Sequence, residues 1–378
     1  MGVSGVTPDQ DYAVNLLKKM LEIYSPSGFE EEISLSLADE MRRMGFDRVW
    51  RNNIGNVYGE ISSAGPTVLL CGHMDTVPGR IPVRIEDGRI YGRGAVDAKS
   101  SLAAMINAAA LLKEGSLEGR IIVAGVVDEE GKGKGIRTLL KENISVGCAI
   151  FGEPSGINSV TFAYKGHLRL KVTCKTATGH LGAQHLLHNA IEEGIKFWFK
   201  LKKTCEEKYK SPHGIFYSLT PSLTEVYGRG TTDSVPDICS MNIDLRLPPI
   251  IPPRKAIEII SGVIEEFKKE GGCDISFKVI DMVEPYIADR ENIVIRSLRE
   301  AILEETGKEA NLVRKTGTSD MNIFGLRLKV PVAAYGPGES RLSHTYHEYI
   351  SIREYLTSIK IYKRAVEKIL NYLVAGRS

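Results

Sequence analysis

The stretch Leu69-Leu70-Cys71-Gly72-His73-Met74-Asp75-Thr76-Val77 constrains the fold more than any other. Residues 67–71 are apolar without alternation, which suits a strand covered on both faces. Strands of that kind belong to α/β domains, whose ligands sit outside the carboxyl ends of the strands. This end carries a histidine and an aspartate two residues apart. In a strand, such a pair shares one face. A histidine that ligates a metal usually has its second ring nitrogen held by a carboxylate, and His-x-Asp supplies both parts locally. The same pair also serves as an ordinary structural hydrogen bond. What decides is whether other segments send acids and imidazoles to the same edge.

Helices are predicted over 9–24 and 30–44, where Ala13, Leu16, Leu17, Met20 and Leu21, then Ile33, Leu37 and Met41, recur at helical spacing. Strands follow at 57–61 and 67–71, with a hairpin at 83–86 and 89–91 about Asp87-Gly88. An alanine- and leucine-rich helix over 98–114 stops at Gly115; next come a strand at 121–127, a short helix at 135–142 and a strand at 148–151. The alternation predicts an α/β class domain with a mostly parallel sheet and helices on both faces. His73, Asp97 (in Gly92-Arg93-Gly94-Ala95-Val96-Asp97), Glu129-Glu130 and Glu153 each follow a strand or open a helix. They would converge on one edge of the sheet.

After residue 163 the rhythm changes. A strand at 167–175, a helix at 188–202, strands at 216–226 and 238–247, a helix at 254–270 and a strand at 275–280 give the ferredoxin-like βαββαβ order. The α/β pattern resumes with a helix at 291–305, a strand at 330–335 and a helix at 352–374. The expected organisation is therefore a first domain of 1–162 and 284–378 with a second, 163–283, inserted into it.

Length and charge narrow the function. The 378 residues are too many for one ordinary core, and 49 basic against 47 acidic residues leave +2, no electrostatic argument for nucleic acid or membrane. The most apolar helix stretch, 102–112, is too short to span a bilayer, and the first residues lack the basic-then-apolar pattern of a secretion signal. Six cysteines, at 71, 148, 174, 205, 239 and 273, never fall in C-x-x-C spacing. They read as free thiols of a reducing, cytoplasmic compartment, so a metal here would take nitrogen and oxygen ligands.

Asp128-Glu129-Glu130 alone would pass for a solvated loop. Carboxylates crowded at a sheet edge repel one another unless something positive sits among them. With His73, Asp97 and Glu153 arriving from neighbouring strand ends, a pair of divalent cations is the natural partner, zinc by ligand type with cobalt or manganese as substitutes. Ser343-His344-Thr345-Tyr346-His347-Glu348 offers a second imidazole, and spacing does not choose between its two histidines. His185, His188 and His213 have no acid partner in view and read as surface or structural residues. The glycine-lysine run 131–135 lacks the P-loop spacing, and Gly92-Arg93-Gly94 is too short for a dinucleotide fingerprint.

Taken together, His73-Met74-Asp75, Gly92 to Asp97, Asp128-Glu129-Glu130, Gly152-Glu153-Pro154 and Ser343 to Glu348 resemble the M20 family of co-catalytic zinc aminoacylases, deacylases and carboxypeptidases. The likeness covers nearly the whole chain, including the inserted domain, which in that family is a lid and dimerisation domain. It implies that His73, Asp97 and Glu153 hold one zinc, that Asp97, Glu130 and His344 hold the other with Asp97 bridging, that Glu129 is the general base, and that Asp75 orients His73. His344 is chosen by the family's spacing of a histidine four residues before Glu348; His347 stands where the family usually has Asn.

Thr178-Gly179-His180-Leu181-Gly182 resembles the lid motif whose histidine donates to the oxyanion in the partner subunit's site, which implies a homodimer and gives His180 that role. Arg246 resembles the lid arginine that binds a substrate carboxylate. Thirteen residues earlier, where many members carry Asn, stands Asp233, an acid that suits a basic substrate. Gly317-Thr318-Ser319-Asp320 resembles the loop lining the pocket, which brings in Thr318. Residues 71–79, 151–156 and 314–322 resemble the hydrolases that release lysine or ornithine from the terminal glutamate of an amino-group carrier protein in lysine and arginine biosynthesis. Alternatives are a deacylase of N-acetyl- or N-succinyl-amino acids, a dipeptidase, or a metal-free binding protein on the same scaffold; the intact Glu129 and ligand set argue against the last.

Overall fold

A computed structural model describes residues 7–113, 115 and 118–376. The chain divides into two compact units: one of residues up to Phe162, Ala288–Val313 and from Ser319 onward, the other of Ala163–Ile287 with Arg314–Thr318. The second unit thus takes in 314–318, which the sequence reading assigned to the first domain.

In the first unit the sheet runs in the order Arg48–Arg51, Val57–Ile61, Arg120–Val126, Thr67–His73, Cys148–Gly152, Val332–Tyr335, Ser159–Tyr164. Thr67–His73 lies parallel between Arg120–Val126 and Cys148–Gly152, and Val332–Tyr335 adds a further parallel neighbour. The margins are antiparallel. Every residue of Thr67–His73 is buried, as a strand with both faces covered must be. One helical layer is Gln10–Glu22, Lys99–Leu112, Ile293–Thr306 and Ile352–Ala375, packed on one another; Glu31–Arg43, Lys134–Leu139 and Asp320–Leu328 cover other parts of the sheet. Lys99–Leu112 is buried nearly all round, which explains its lack of an amphipathic stripe. A Cβ on Gly72 would lie 3.2 Å from Leu102 Cβ, so the glycine lets this helix approach the strand just behind His73.

Several elements differ from the sequence expectation. Arg48–Arg51, Ser159–Tyr164, Asn311–Lys315 and Tyr349–Ser351 are strands that were not anticipated, and a helix, Asp320–Leu328, begins at the end of the stretch 317–320, where a loop was expected. Ser319 caps that helix in a box with Asn322: its side-chain oxygen accepts main-chain N–H groups of the first turn, and Asn322 Oδ1 accepts the Ser319 N–H at 3.2 Å.

The second unit is a four-stranded antiparallel sheet, in the order Thr220–Gly228, Ile238–Leu247, Gly166–Lys175, Asp274–Val283. Helices Ala190–Lys208 and Pro253–Lys269 pack on it around Leu170, Val172, Phe197, Ile243, Ile260 and Phe267. The strand expected from 216 starts at Thr220, because Ile215–Tyr217 is a 3-10 turn. That turn and its exit supply carbonyls of Ile215 and Ser218 to the buried Lys165 ammonium, at 3.2 and 2.6 Å. The helix expected from 188 starts after Asn189, whose side chain accepts the Ile191 N–H.

Candidate metal centre

His73 is the last residue of its strand, so alternation ends before Asp75. Its Nδ1 lies 2.8 Å from the main-chain carbonyl of Asp75 and 3.7 Å from that residue's carboxylate. A carbonyl only accepts, so Nδ1 carries the proton and Nε2 is the free ring nitrogen. The Asp75 carboxylate has another task. Its Oδ1 accepts the Glu129 N–H and its Oδ2 the Glu130 N–H, both at 3.0 Å, and Ser27 donates to Oδ2 at 2.6 Å. The acid read as orienting His73 therefore orients it through its peptide, while its side chain fixes the main chain of the two glutamates.

Asp97 is fixed by a residue the sequence reading used only as a spacing mark. Glu348, buried, accepts the N–H groups of Val96 and Asp97 at 2.9 Å each and the Arg93 guanidinium at 3.0 Å. Arg93 also donates to the carbonyls of Gly79 and Thr345. Strand Tyr349–Ser351 pairs antiparallel with Arg89–Tyr91, so the loops carrying His344 and Asp97 are joined on both sides of Glu348. Nothing local in the sequence marks this pair, because Arg93 and Glu348 are 255 residues apart. The Asp97–Ala98 peptide is cis, and His344 holds the left-handed backbone conformation, φ +64°.

The result brings two imidazoles onto one carboxylate. His73 Nε2 lies 3.3 Å from Asp97 Oδ1, and His344 Nε2 lies 3.3 Å from Asp97 Oδ2 and 2.8 Å from Glu130 Oε1. Two groups of ligand-type atoms, each mutually within 4.8 Å, are His73 with Glu129 and Glu130, and Asp97 with Glu130 and His344. Neither includes Glu153 or His347. Glu153 leaves the end of Cys148–Gly152, its N–H bonded to the Tyr335 carbonyl, and its charge is felt by Glu129.

The charges are mutually dependent. Burial and then the charge of Glu153 push Glu129 well above the ordinary carboxyl range. Burial and the charge of Asp97 raise Glu130, against the imidazole of His344. Although burial favours the protonated acid, contacts with His344 and His73 hold Asp97 far below its usual value. His344 is raised to about 10 by Asp97 and Glu130, and His73 rises despite its burial because Asp97, Glu129 and Asp75 surround it. These groups fit a cation: acids that repel and two imidazoles whose free nitrogens face carboxylate oxygens satisfy one another either through imidazolium protons or through metal ions.

In the second unit, an antiparallel bridge between His180 and Ser234 sets His180 beside Asp233, whose carbonyl accepts the Leu181 N–H. His180 Nδ1 accepts the Gly182 N–H at 3.0 Å. Since Nδ1 accepts, a neutral His180 carries its proton on Nε2, poised to donate. Arg246 lies 2.8 Å from Asp244 Oδ1 and reaches Thr318 Oγ1 at 3.5 Å; Thr318 in turn donates to the Lys165 carbonyl at 3.1 Å.

An α/β domain with an inserted ferredoxin-like unit and this N/O ligand cluster define a metal-dependent hydrolase scaffold. Residues 69–368 match the model of peptidase family M20/M25/M40, and the chain belongs to that family. It is accordingly a hydrolase of peptide-type C–N bonds. It is 34% identical over 370 residues to a protein of Deinococcus radiodurans named LysW-lysine hydrolase, covering 96% of this chain and 99% of that one. With the LysW-lysine/LysW-ornithine hydrolase of Sulfurisphaera tokodaii it shares 33% over 355 residues, 94% of each. Among solved structures, the M20 family metallo-carboxypeptidase of Sulfolobus solfataricus superposes with a TM-score of 0.79 at 19% identity, covering 96% of this chain and all of that one, a likeness of fold.

Proposed function

We propose that the protein is a di-zinc amide hydrolase that releases lysine or ornithine from the terminal glutamate of an amino-group carrier protein. The observation that carries the metal reading is Asp97, whose two oxygens face two different imidazoles, the arrangement a bridging carboxylate requires. His73, Asp97 and Glu153 would hold one ion, and Asp97, Glu130 and His344 would hold the other. Bound zinc, or cobalt in its place, supplies Lewis acidity and lowers the pKa of water. Glu129, its affinity for a proton raised by burial and Glu153, takes a proton from the attacking water and passes it to the leaving nitrogen. His180, contributed across a homodimer, donates from Nε2 to the oxygen that gains charge. Arg246 binds the α-carboxylate of the released amino acid and Asp233 its distal ammonium, with Thr318 beside Arg246.

The carrier reading is supported by the names and near-full coverage of the relatives together with an acid at 233. Comparing turnover of carrier-linked lysine and ornithine with free N-acetyl-lysine and N-acetyl-ornithine tests it. Faster turnover of the carrier-linked forms is expected. Equal or faster turnover of the free acetyl compounds would make the protein a small-molecule deacylase.

A further inference from the structure

Strand Arg120–Val126 runs out toward Glu129 through residues whose main-chain N–H groups all end on side-chain oxygens. Asn56 Oδ1 accepts the Val127 N–H at 3.1 Å and Glu30 Oε1 accepts the Asp128 N–H at 3.0 Å, while the Glu129 and Glu130 N–H groups are the two that Asp75 takes. Asn56, Glu30 and Asp75 are all buried. Consecutive donors are thus each met by a side chain from elsewhere in the fold, which sets the backbone leading to Glu129.

Asp128 is the turning point. It holds the left-handed conformation, φ +60°, which residues other than glycine seldom adopt. Aspartate tolerates it by bonding locally. Here Oδ2 accepts the Lys132 and Lys134 N–H groups at 3.3 Å each, and the Asp128 carbonyl accepts the Gly133 N–H at 2.7 Å. A Cβ on Gly131 would collide with Asp128 Oδ1, so the loop closes over this carboxylate only with glycine there. Those contacts hold the far side of the turn. On the near side the Asp128 N–H is buried and is met by Glu30.

Glu30 does not serve its own helix. It stands at the N-cap of Glu31–Arg43, where Ser, Thr, Asn or Asp is favoured, and its side chain makes no capping bond. The buried carboxylate reaches Asp128 instead, 98 residues away in sequence. The same segment sends Ser25 Oγ to the Met74 carbonyl at 2.8 Å and Ser27 Oγ to Asp75 Oδ2 at 2.6 Å, so it braces both loops that carry the centre.

We propose that Glu30 is a positioning residue for the hydrolysis: through the Asp128 N–H it fixes the left-handed turn that brings the Glu129 carboxyl group beside His73 and Glu130. It touches no reacting atom. Its effect reaches the substrate through the placement of Glu129, so it falls on turnover and leaves substrate binding alone. This role rests on the reading of Glu129 as general base.

The test uses the full-length zinc-loaded protein with carrier-linked lysine and N-acetyl-lysine as substrates, and the metal-free protein for amide hydrogen exchange. Glu30→Ala should lower kcat by about 10–100-fold, the cost of a catalytic group misplaced by about 1 Å, with KM little changed. Zinc affinity in chelator competition should stay at the parent value, because Asp75 still holds the Glu130 N–H. Without metal, the Asp128 amide should exchange slowly in the parent and fast in Glu30→Ala. Glu30→Gln keeps an acceptor oxygen and should restore both kcat and slow exchange. Glu30→Asp falls one methylene short of the amide and should show the same losses as alanine, which serves where the alanine variant does not fold. Parent kcat in Glu30→Ala, a fall in kcat matched by loss of zinc, or a glutamine variant as slow as the alanine one would overturn the assignment. Turnover kept by Glu129→Gln would remove the general-base reading itself, whereas an inactive Glu129→Gln beside a Glu30→Ala at parent kcat removes the positioning role alone.

Discussion

Replacing Glu348 by alanine removes an acid that touches no substrate and yet should loosen the metal centre. Its carboxylate takes two main-chain N–H groups, of Val96 and Asp97, and the nearly buried Arg93 guanidinium. Breaking a buried ion pair from one side costs about 3–5 kcal/mol, because the remaining charge stays uncompensated. The two N–H groups add to that unless water enters, at about 1–3 kcal/mol each when they stay unsatisfied. Taking about 3–5 kcal/mol as the working figure, the melting temperature should fall by roughly 6–20 °C, at about 2–4 °C per kcal/mol for a unit of this size. Glu348→Gln keeps an acceptor oxygen and loses the charge, so its loss should be smaller. Adding Arg93→Met to Glu348→Gln should recover part of it, with a coupling of about 0.5–3 kcal/mol expected for contacting residues. Because Asp97 and the His344 loop are both tied to this carboxylate, zinc affinity in chelator competition should fall by about 10–100-fold in Glu348→Ala. Thermal melting and chelator titration read the two effects separately. A Glu348→Ala protein that melts within about 2 °C of the parent, against the shift worked above, and keeps its zinc affinity would refute the reasoning.

Other consequences can be checked alongside. Glu129→Gln should keep metal and melting temperature while turnover drops by about 10²–10⁴-fold, the usual contribution of one general base; retained turnover would remove Glu129 from that role. Gly182→Pro removes the N–H that assigns the His180 proton to Nε2, and the loss of one hydrogen bond, about 1 kcal/mol, should lower kcat about fivefold with KM little changed. A fall in KM alone would argue against that tautomer control. In the metal-free protein His344 is raised to about 10 and His73 is also raised, so both carry protons at neutral pH that a metal must displace. Metal affinity should therefore rise with pH from 6 toward 10, and calorimetry in buffers of different ionisation heat should count at least two protons released; none released would contradict the charge assignment.

What the sequence made legible was local. The apolar run before His73 announced a buried strand, the acids at 129, 130 and 153 follow strands of the parallel sheet, where ligands collect, and Asp97 stands just before a helix. What it hid was long-range closure. Glu348 and Arg93 lie 255 residues apart, and neither position marks which charge it will meet. Edge strands such as Arg48–Arg51 carry too weak an apolar pattern to be read, since their pairing depends on a neighbour the sheet supplies. Ser319 and Asn322 did carry a readable helix-start signal, which the loop motif around Thr318 and Asp320 obscured.

The acids at the centre repel one another, so some other set of contacts must hold them in place. Two buried carboxylates outside the proposed ligand set do this with main-chain donors: Asp75 takes the N–H groups of Glu129 and Glu130, and Glu348 those of Val96 and Asp97. Main-chain donors cannot lose a proton or choose another rotamer, so the positions they fix do not depend on the charge state of the ligands. This separates the two demands on the site. The ligand carboxylates and imidazoles are free to exchange protons for metal, while their backbone is set by acids that take no part in that exchange. It also explains why Asp75 stands two residues after His73: its carbonyl orients the imidazole while its side chain reaches the next strand end, a division that one strand-alternating pair could not provide.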